Sequence, residues 1–148
     1  MDNLHRIEKD FLGEKEIEND KYYGIQTLRA KENFNITTIQ ISIFPNFIIS
    51  LAKVKKVCAL TNFELGDLTE SQKNAIVKAC DLIIDGKYHD QFIVDPIQGG
   101  AGTSTNMNAN EVIANIALEI LGEKKGSYNI IHPNNHVNMS QSTNDAYP

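Results

Sequence analysis

Three stretches of this chain repeat their apolar residues every three to four positions, and each is bounded by residues that start or stop helices. Ala109, Val112, Ile113, Ile116, Ala117 and Ile120 form one clean face. The spacing predicts a helix from about Asn106 or Asn108 to Leu121, stopped at Gly122. Glu111 then falls in its first turn, where a negative charge suits the helix N-terminus. Ile76, Ala79, Cys80, Ile83 and Ile84 give a second face, preceded by Thr69-Glu-Ser-Gln72, which has the form of a capping box, and closed by Gly86. A third helix is expected from Pro45 to about Leu65, with Pro45 in the first turn, Gly66 as the cap, and a stripe of Phe47, Leu51, Val54, Cys58 and Ala59. Lys53, Lys55 and Lys56 read as its solvated side.

The remaining segments are weaker. Gly24 to Phe34 reads as a short helix offering Ile25, Leu28 and Ala30 for burial. Between Arg6 and Ile17 the alternation, with a turn at Phe11-Leu-Gly13, leaves a short strand or hairpin open. Asn144 or Asp145 is expected to cap one more helix, with Pro148 in its first turn. The fold class is therefore mainly α, with little regular sheet.

Composition removes several function classes. Fourteen basic against nineteen acidic side chains leave a net charge of −5, which gives no electrostatic reason to expect nucleic acid. No apolar run approaches the roughly 20 residues needed to cross a bilayer, and the first residues lack the layout of a signal peptide. Cys58 and Cys80 are too few for a disulfide framework and read as buried free thiols in a reducing cytoplasm.

Chemistry concentrates in two runs of small polar residues, Gly99-Gly-Ala-Gly-Thr-Ser-Thr-Asn-Met-Asn108 and Asn138-Met-Ser-Gln-Ser-Thr-Asn-Asp145. Glycines admit a ligand to the backbone, a helix start offers unpaired N–H groups, and hydroxyls and amides add neutral donors. Such a set suits a carboxylate or a developing oxyanion. Either run alone also reads as an ordinary helix cap. The first run lacks the Gly-Lys-Ser/Thr ending of a phosphate loop. His132 and His136, four apart, would suit a metal on a helix, but Pro133 argues against a helix through them. A free-standing anion- or metal-binding helical module using those two histidines stays open as an alternative.

Taken together, Gly99 to Asn115, His132-Pro-Asn-Asn-His-Val-Asn138 and Gln141-Ser-Thr-Asn-Asp-Ala-Tyr-Pro148, with Tyr22-Tyr-Gly-Ile-Gln-Thr-Leu-Arg-Ala30 and Glu32-Asn-Phe34, resemble the N-terminal region of the aspartate ammonia-lyases in the aspartase/fumarase superfamily. Fumarases, the nearest alternative, usually have Ser-Ser-Asn where this chain has Ser142-Thr-Asn144, and Gln at the position of Ser104. The resemblance implies the N-terminal helical domain of that fold over residues 1–140, with 141–148 beginning a central helical domain. It implies reversible conversion of L-aspartate to fumarate and ammonia without an organic cofactor, divalent-cation activation being open, and without a resident metal. Thr103, Ser142, Thr143 and Asn144 would bind substrate, and His132, Asn134 and Asn135 would form a second anion site, although many relatives carry Asp at the position of Asn135. The catalytic serine of such enzymes lies on a Gly-Ser-Ser-x-x-Pro loop that these 148 residues do not contain. The resemblance further implies a cytoplasmic homotetramer for the longer parent, and a monomeric, inactive domain for this stretch alone.

Overall fold

A computed structural model of the chain describes residues 4–147. It begins with an antiparallel hairpin, β1 His5–Asp10 and β2 Gly13–Glu18, in the register His5↔Glu18 to Asp10↔Gly13. The turn is tight because the Asp10 carboxylate accepts from the Leu12 N–H at 2.9 Å and Gly13 takes φ +115°. Helices α1 Ile25–Asn33, α2 Pro45–Glu64, α3 Glu70–Ile84 and α4 Thr103–Ile120 follow, then a single turn of π geometry at Pro133–Val137 and a one-turn α5 at Thr143–Ala146. The fold is mainly α with one small hairpin, as the periodicity predicts.

Helix α4 is the axis of the core. All residues from Asn108 to Leu118 are buried, and the helix packs against α1, α3 and the π turn. Ile76, Ala79, Cys80 and Ile83 of α3 meet it as predicted. The capping box is present: Thr69 Oγ1 accepts from the Gln72 N–H at 3.2 Å while the Thr69 N–H donates to Gln72 Oε1 at 3.1 Å.

Three expectations shift. First, α2 buries Ile48, Leu51, Ala52, Lys55, Ala59 and Asn62, a stripe turned about one residue from the expected one. Val54 is 38% exposed and Phe47 and Cys58 are half-buried, whereas Lys55 is 0% exposed. Helix α2 is apolar around much of its girth, so periodicity alone leaves its rotation undetermined. Second, α4 starts at Thr103, three residues early, because Gly102 at φ +82° lets the chain enter the helix there. Glu111 thus lies mid-helix. Third, Ser142 rather than Asn144 or Asp145 caps α5, its Oγ accepting from the Asn144 N–H at 3.3 Å. Pro148 lies outside the described residues.

Glu111 still complements a helix N-terminus, that of α1. Its Oε2 accepts from the Gly24 N–H (2.9 Å), the Thr27 N–H (3.0 Å) and the Thr27 hydroxyl (2.6 Å), and its Oε1 accepts from the Gln26 N–H (2.9 Å). Gly24, the N-cap of α1, has no side chain to offer. A carboxylate from the central helix does its work. The hairpin is fastened to the same place, with Glu8 Oε2 accepting from the Ile25 N–H at 2.9 Å and Arg29 gripping Asp10 at 2.7 and 2.8 Å.

Candidate functional site

The start of α4, the π turn, α5 and the hairpin tip surround a cleft of about 790 Å³. Thr103, Asn106, His132, Asn134, Asn138 and Thr143 line one side; Lys9, Asp10 and Phe11 of the hairpin and Gln26 of α1 line another. The two polar runs therefore meet. Of the residues singled out from sequence, Thr103, Thr143, His132 and Asn134 share this cleft. Ser142, Asn144 and Asn135 are exposed beside it and are not among its lining residues.

The hydroxyls of the first run are not caps for α4. Gly102 at the N-cap makes no side-chain cap, and Gln98 serves instead: its Oε1 accepts from the Thr105 N–H at 3.0 Å and its Nε2 donates to Thr105 Oγ1 at 2.6 Å. Thr103, at the first helical position, is exposed to the cleft.

Behind the cleft wall lies a residue that the sequence reading placed in solvent. Lys55 Nζ donates to Asn106 Oδ1 (2.7 Å), Asn138 Oδ1 (2.9 Å) and Gln141 Oε1 (2.8 Å). Three amide oxygens use all three hydrogens of an ammonium, and none of them belongs to a carboxylate. Burial pulls the Lys55 pKa down to about 8, while the three acceptors suit the charged form. The charge is passed on through the amides. Asn106 Nδ2 donates to Asn138 Oδ1 at 3.0 Å and to Thr143 Oγ1 at 3.1 Å. Accepting there leaves the Thr143 hydroxyl hydrogen for the cleft. Asn138 and Gln141 also brace their own loop, Asn138 Nδ2 donating to the Gln141 carbonyl at 3.0 Å and Gln141 Nε2 to the Val137 carbonyl at 2.9 Å. The signal that identifies Lys55 is its phase: Ile48, Ala52, Lys55, Ala59 and Asn62 recur at alternating four and three, a single buried stripe.

The π turn engages both histidines locally, a geometry often found at functional sites. His132 Nδ1 accepts from the Asn134 N–H (3.0 Å) and the Asn135 N–H (3.3 Å), and the His132 N–H donates to His136 Nδ1 at 2.8 Å. Pro133 is tolerated because it occupies the first position of the turn, where no N–H is required. Accepting at Nδ1 places the neutral His132 hydrogen on Nε2. Burial lowers the pKa of both rings, His136 being lowered further by its neighbour His132. Both Nδ1 atoms are thus occupied by the turn itself, and the two N–H groups that an anion would seek at Asn134 and Asn135 point to His132.

Comparison with known proteins agrees with this architecture. A family model described as Lyase matches residues 13–148. Aspartate ammonia-lyase of Helicobacter pylori (strain J99) is 66% identical over 143 residues, covering 97% of this chain and 31% of the relative. Among solved structures, fumarate lyase:delta crystallin from Brucella melitensis superposes with a TM-score of 0.96 at 58% identity, covering 97% of this chain and 34% of that one. Class II fumarase from Schistosoma mansoni gives 0.88 at 39% identity, covering 97% and 30%. The chain spans about a third of the length of these relatives. It belongs to the lyase family that this model describes, and its fold is that of the N-terminal domain of the fumarase/aspartase superfamily.

Proposed function

We propose that this chain is the substrate-gripping N-terminal part of an aspartate ammonia-lyase, which converts L-aspartate reversibly to fumarate and ammonia. The observation that carries the reading is the meeting of Thr103 and Thr143 in one cleft, on a side otherwise lined by the amides Asn106, Asn134 and Asn138 with His132, and backed by the Lys55 ammonium through Asn106. Removing a proton from the carbon beside a carboxylate places a second negative charge on that carboxylate. Donors fixed before the reaction stabilise such charge without reorganising. Thr103, Ser142, Thr143 and Asn144 hold the substrate's carboxylates and amino group in this reading. His132, Asn134 and Asn135 form an outer anion site, with the His132 Nε2–H as its donor.

The proton acceptor is a serine supplied by chain beyond these 148 residues. Residues 141–148 begin the central helical domain of the parent, a cytoplasmic homotetramer that needs no organic cofactor. In this reading the 148 residues alone are monomeric, supply substrate-binding residues to a shared site and do not turn over substrate. The ammonia-lyase reading is favoured over a fumarase by the higher identity to the H. pylori enzyme, 66% against 39% for the Schistosoma fumarase. It is favoured over a histidine metal module because the π turn engages both Nδ1 atoms.

The test is to supply the full-length protein bearing this sequence with L-aspartate, and separately with L-malate, and follow fumarate by its absorbance. Fumarate from aspartate alone is expected. Fumarate from malate alone makes the protein a fumarase, and turnover by the 148 residues alone contradicts the missing base.

A further inference from the structure

Gly102 is buried, adopts φ +82°, and immediately precedes Thr103. A Cβ built on it would fall 2.2 to 2.5 Å from Cδ1, Cε1 and Cγ of Tyr147. The Tyr147 ring therefore rests on the Gly102 backbone, in space that only glycine leaves. Glycine is needed twice here, for the left-handed backbone and for the ring.

The same ring meets Phe47, in the first turn of α2, edge to face, with centroids 5.7 Å apart and planes at 87°. The Tyr147 N–H donates to the Thr143 carbonyl at 2.9 Å, so the ring is one helical turn from Thr143. Helix α5 is a single turn, far too short to hold its shape unaided. What fastens it is the Asn106–Thr143 hydrogen bond on one side and the Tyr147 ring, between Gly102 and Phe47, on the other. Thr103 and Thr143 come from separate segments. Thr103 is adjacent to Gly102, which the ring touches, and Thr143 is one turn from Tyr147 itself.

We infer that Tyr147 is a positioning residue: its ring, clamped between Gly102 and Phe47, sets the separation of the Thr103 and Thr143 hydroxyls and thereby the grip on substrate. The inference rests on the reading of these two threonines as substrate ligands. It assigns no role to the Tyr147 hydroxyl. The ring is a spacer, and a phenyl group serves as well.

Two measurements test it. In the full-length protein, Tyr147→Ala is expected to raise the KM for L-aspartate by about 10- to 100-fold, the scale on which misplaced binding groups act, while Tyr147→Phe stays within about threefold. A purely structural role would lower kcat through loss of folded enzyme and leave KM unchanged. Unchanged KM in Tyr147→Ala, or equal damage in Tyr147→Phe, overturns the proposal. In the 148-residue chain, the Gly102 Hα resonances should be displaced upfield by the ring. Tyr147→Ala should remove that displacement and move the Thr103 and Thr143 amides together. No displacement at Gly102 refutes the clamp whatever the activity. A displaced Gly102 in a protein that does not deaminate aspartate leaves the clamp standing and refutes the functional reading instead.

Discussion

Lys55 Nζ donates to Asn138 Oδ1 at 2.9 Å, and the same oxygen accepts from the side-chain amides of Asn106 and Asn110 at 3.0 and 3.2 Å. One ammonium on α2 thus organises the second polar run, three helices away in sequence. Buried charge without a carboxylate partner is costly, and here the compensation comes from amide dipoles. Replacing it with an apolar chain should hurt. Lys55→Met leaves Asn106 Oδ1 and Gln141 Oε1 without this donor and is expected to destabilise the fold by about 1 to 3 kcal/mol, the cost of stranding buried acceptors partly offset by removal of the buried charge. Urea denaturation measures it, and a loss below about 1 kcal/mol would mean that the cluster relaxes around water.

Glu111 sets a pH dependence of opposite character to that of most carboxylates. Burial pushes its pKa from 4.5 up to about 7, the Thr27 hydroxyl and the backbone N–H groups opposing and the nearby Glu8 charge reinforcing. The folded state therefore holds more protons than the unfolded state between those values. This contribution to stability is complete below pH 4.5 and is lost as pH rises through 7, with a slope of at most about 1.4 kcal/mol per pH unit. Stability measured from pH 4.5 to 7.5 should show this fall, and Glu111→Ala should flatten it at the cost of lower stability throughout. A slope unchanged in Glu111→Ala would locate the linkage elsewhere.

Gly24 abuts that carboxylate. A Cβ there would lie 2.6 Å from Tyr128 Oη and 2.7 Å from Glu111 Cδ. Both groups are held, Glu111 by its four donors and Tyr128 by hydrogen bonds with Asn115 at 3.1 Å and Glu8 at 3.1 Å. Gly24 has φ −117°, so backbone strain is not the issue. Gly24→Ala should cost about 1 to 3 kcal/mol by overpacking and fray α1 first, seen as faster amide exchange at Gln26 and Thr27.

These three sites also mark how far the sequence could be read. Helices α3 and α4 are legible because each has one apolar face and a clear end signal, the Thr69–Gln72 box and Gly86 at φ +89° for α3 and Gly122 at φ +78° for α4, while α1 is legible only as a weaker short helix over Gly24 to Phe34. The hairpin was legible as an option through its alternation and turn. The rotation of α2 was not, since apolar residues at 54, 57 and 60 compete with those at 48, 51 and 52, and only packing against α3 and α4 decides between them. Lys55, expected on the solvated side, is buried for the same reason. The expected match of Glu111 to a helix N-terminus holds for α1 rather than for its own helix, because a carboxylate that caps across 84 to 87 positions in sequence leaves no local signature. Of the candidate site, Thr103, Thr143, His132 and Asn134, which the family resemblance points to, share the cleft. Asn106 and Asn138 were visible as parts of motifs, but their joint attachment to Lys55 depends on three-dimensional proximity.

The capping box offers a smaller, cleaner test. Gln72 both caps Thr69 and donates through Nε2 to the Ile130 carbonyl at 3.0 Å, tying the start of α3 to the segment before His132. Thr69→Ala should cost about 1 kcal/mol. Gln72→Ala should cost more, because it also frees Ile130, and a reversed order would show that the tie to Ile130 contributes nothing.

The central claim is that Thr103 and Thr143 act on one substrate from two segments. The direct measurement is kcat/KM for L-aspartate in the full-length protein with Thr103→Val, Thr143→Val and both together. Each single change is expected to lower kcat/KM by about 10²- to 10³-fold, the usual effect of losing one preorganised donor. The double change should fall short of the product of the two, as expected for groups sharing a ligand. Single variants that both stay within about threefold of the parent would contradict the account.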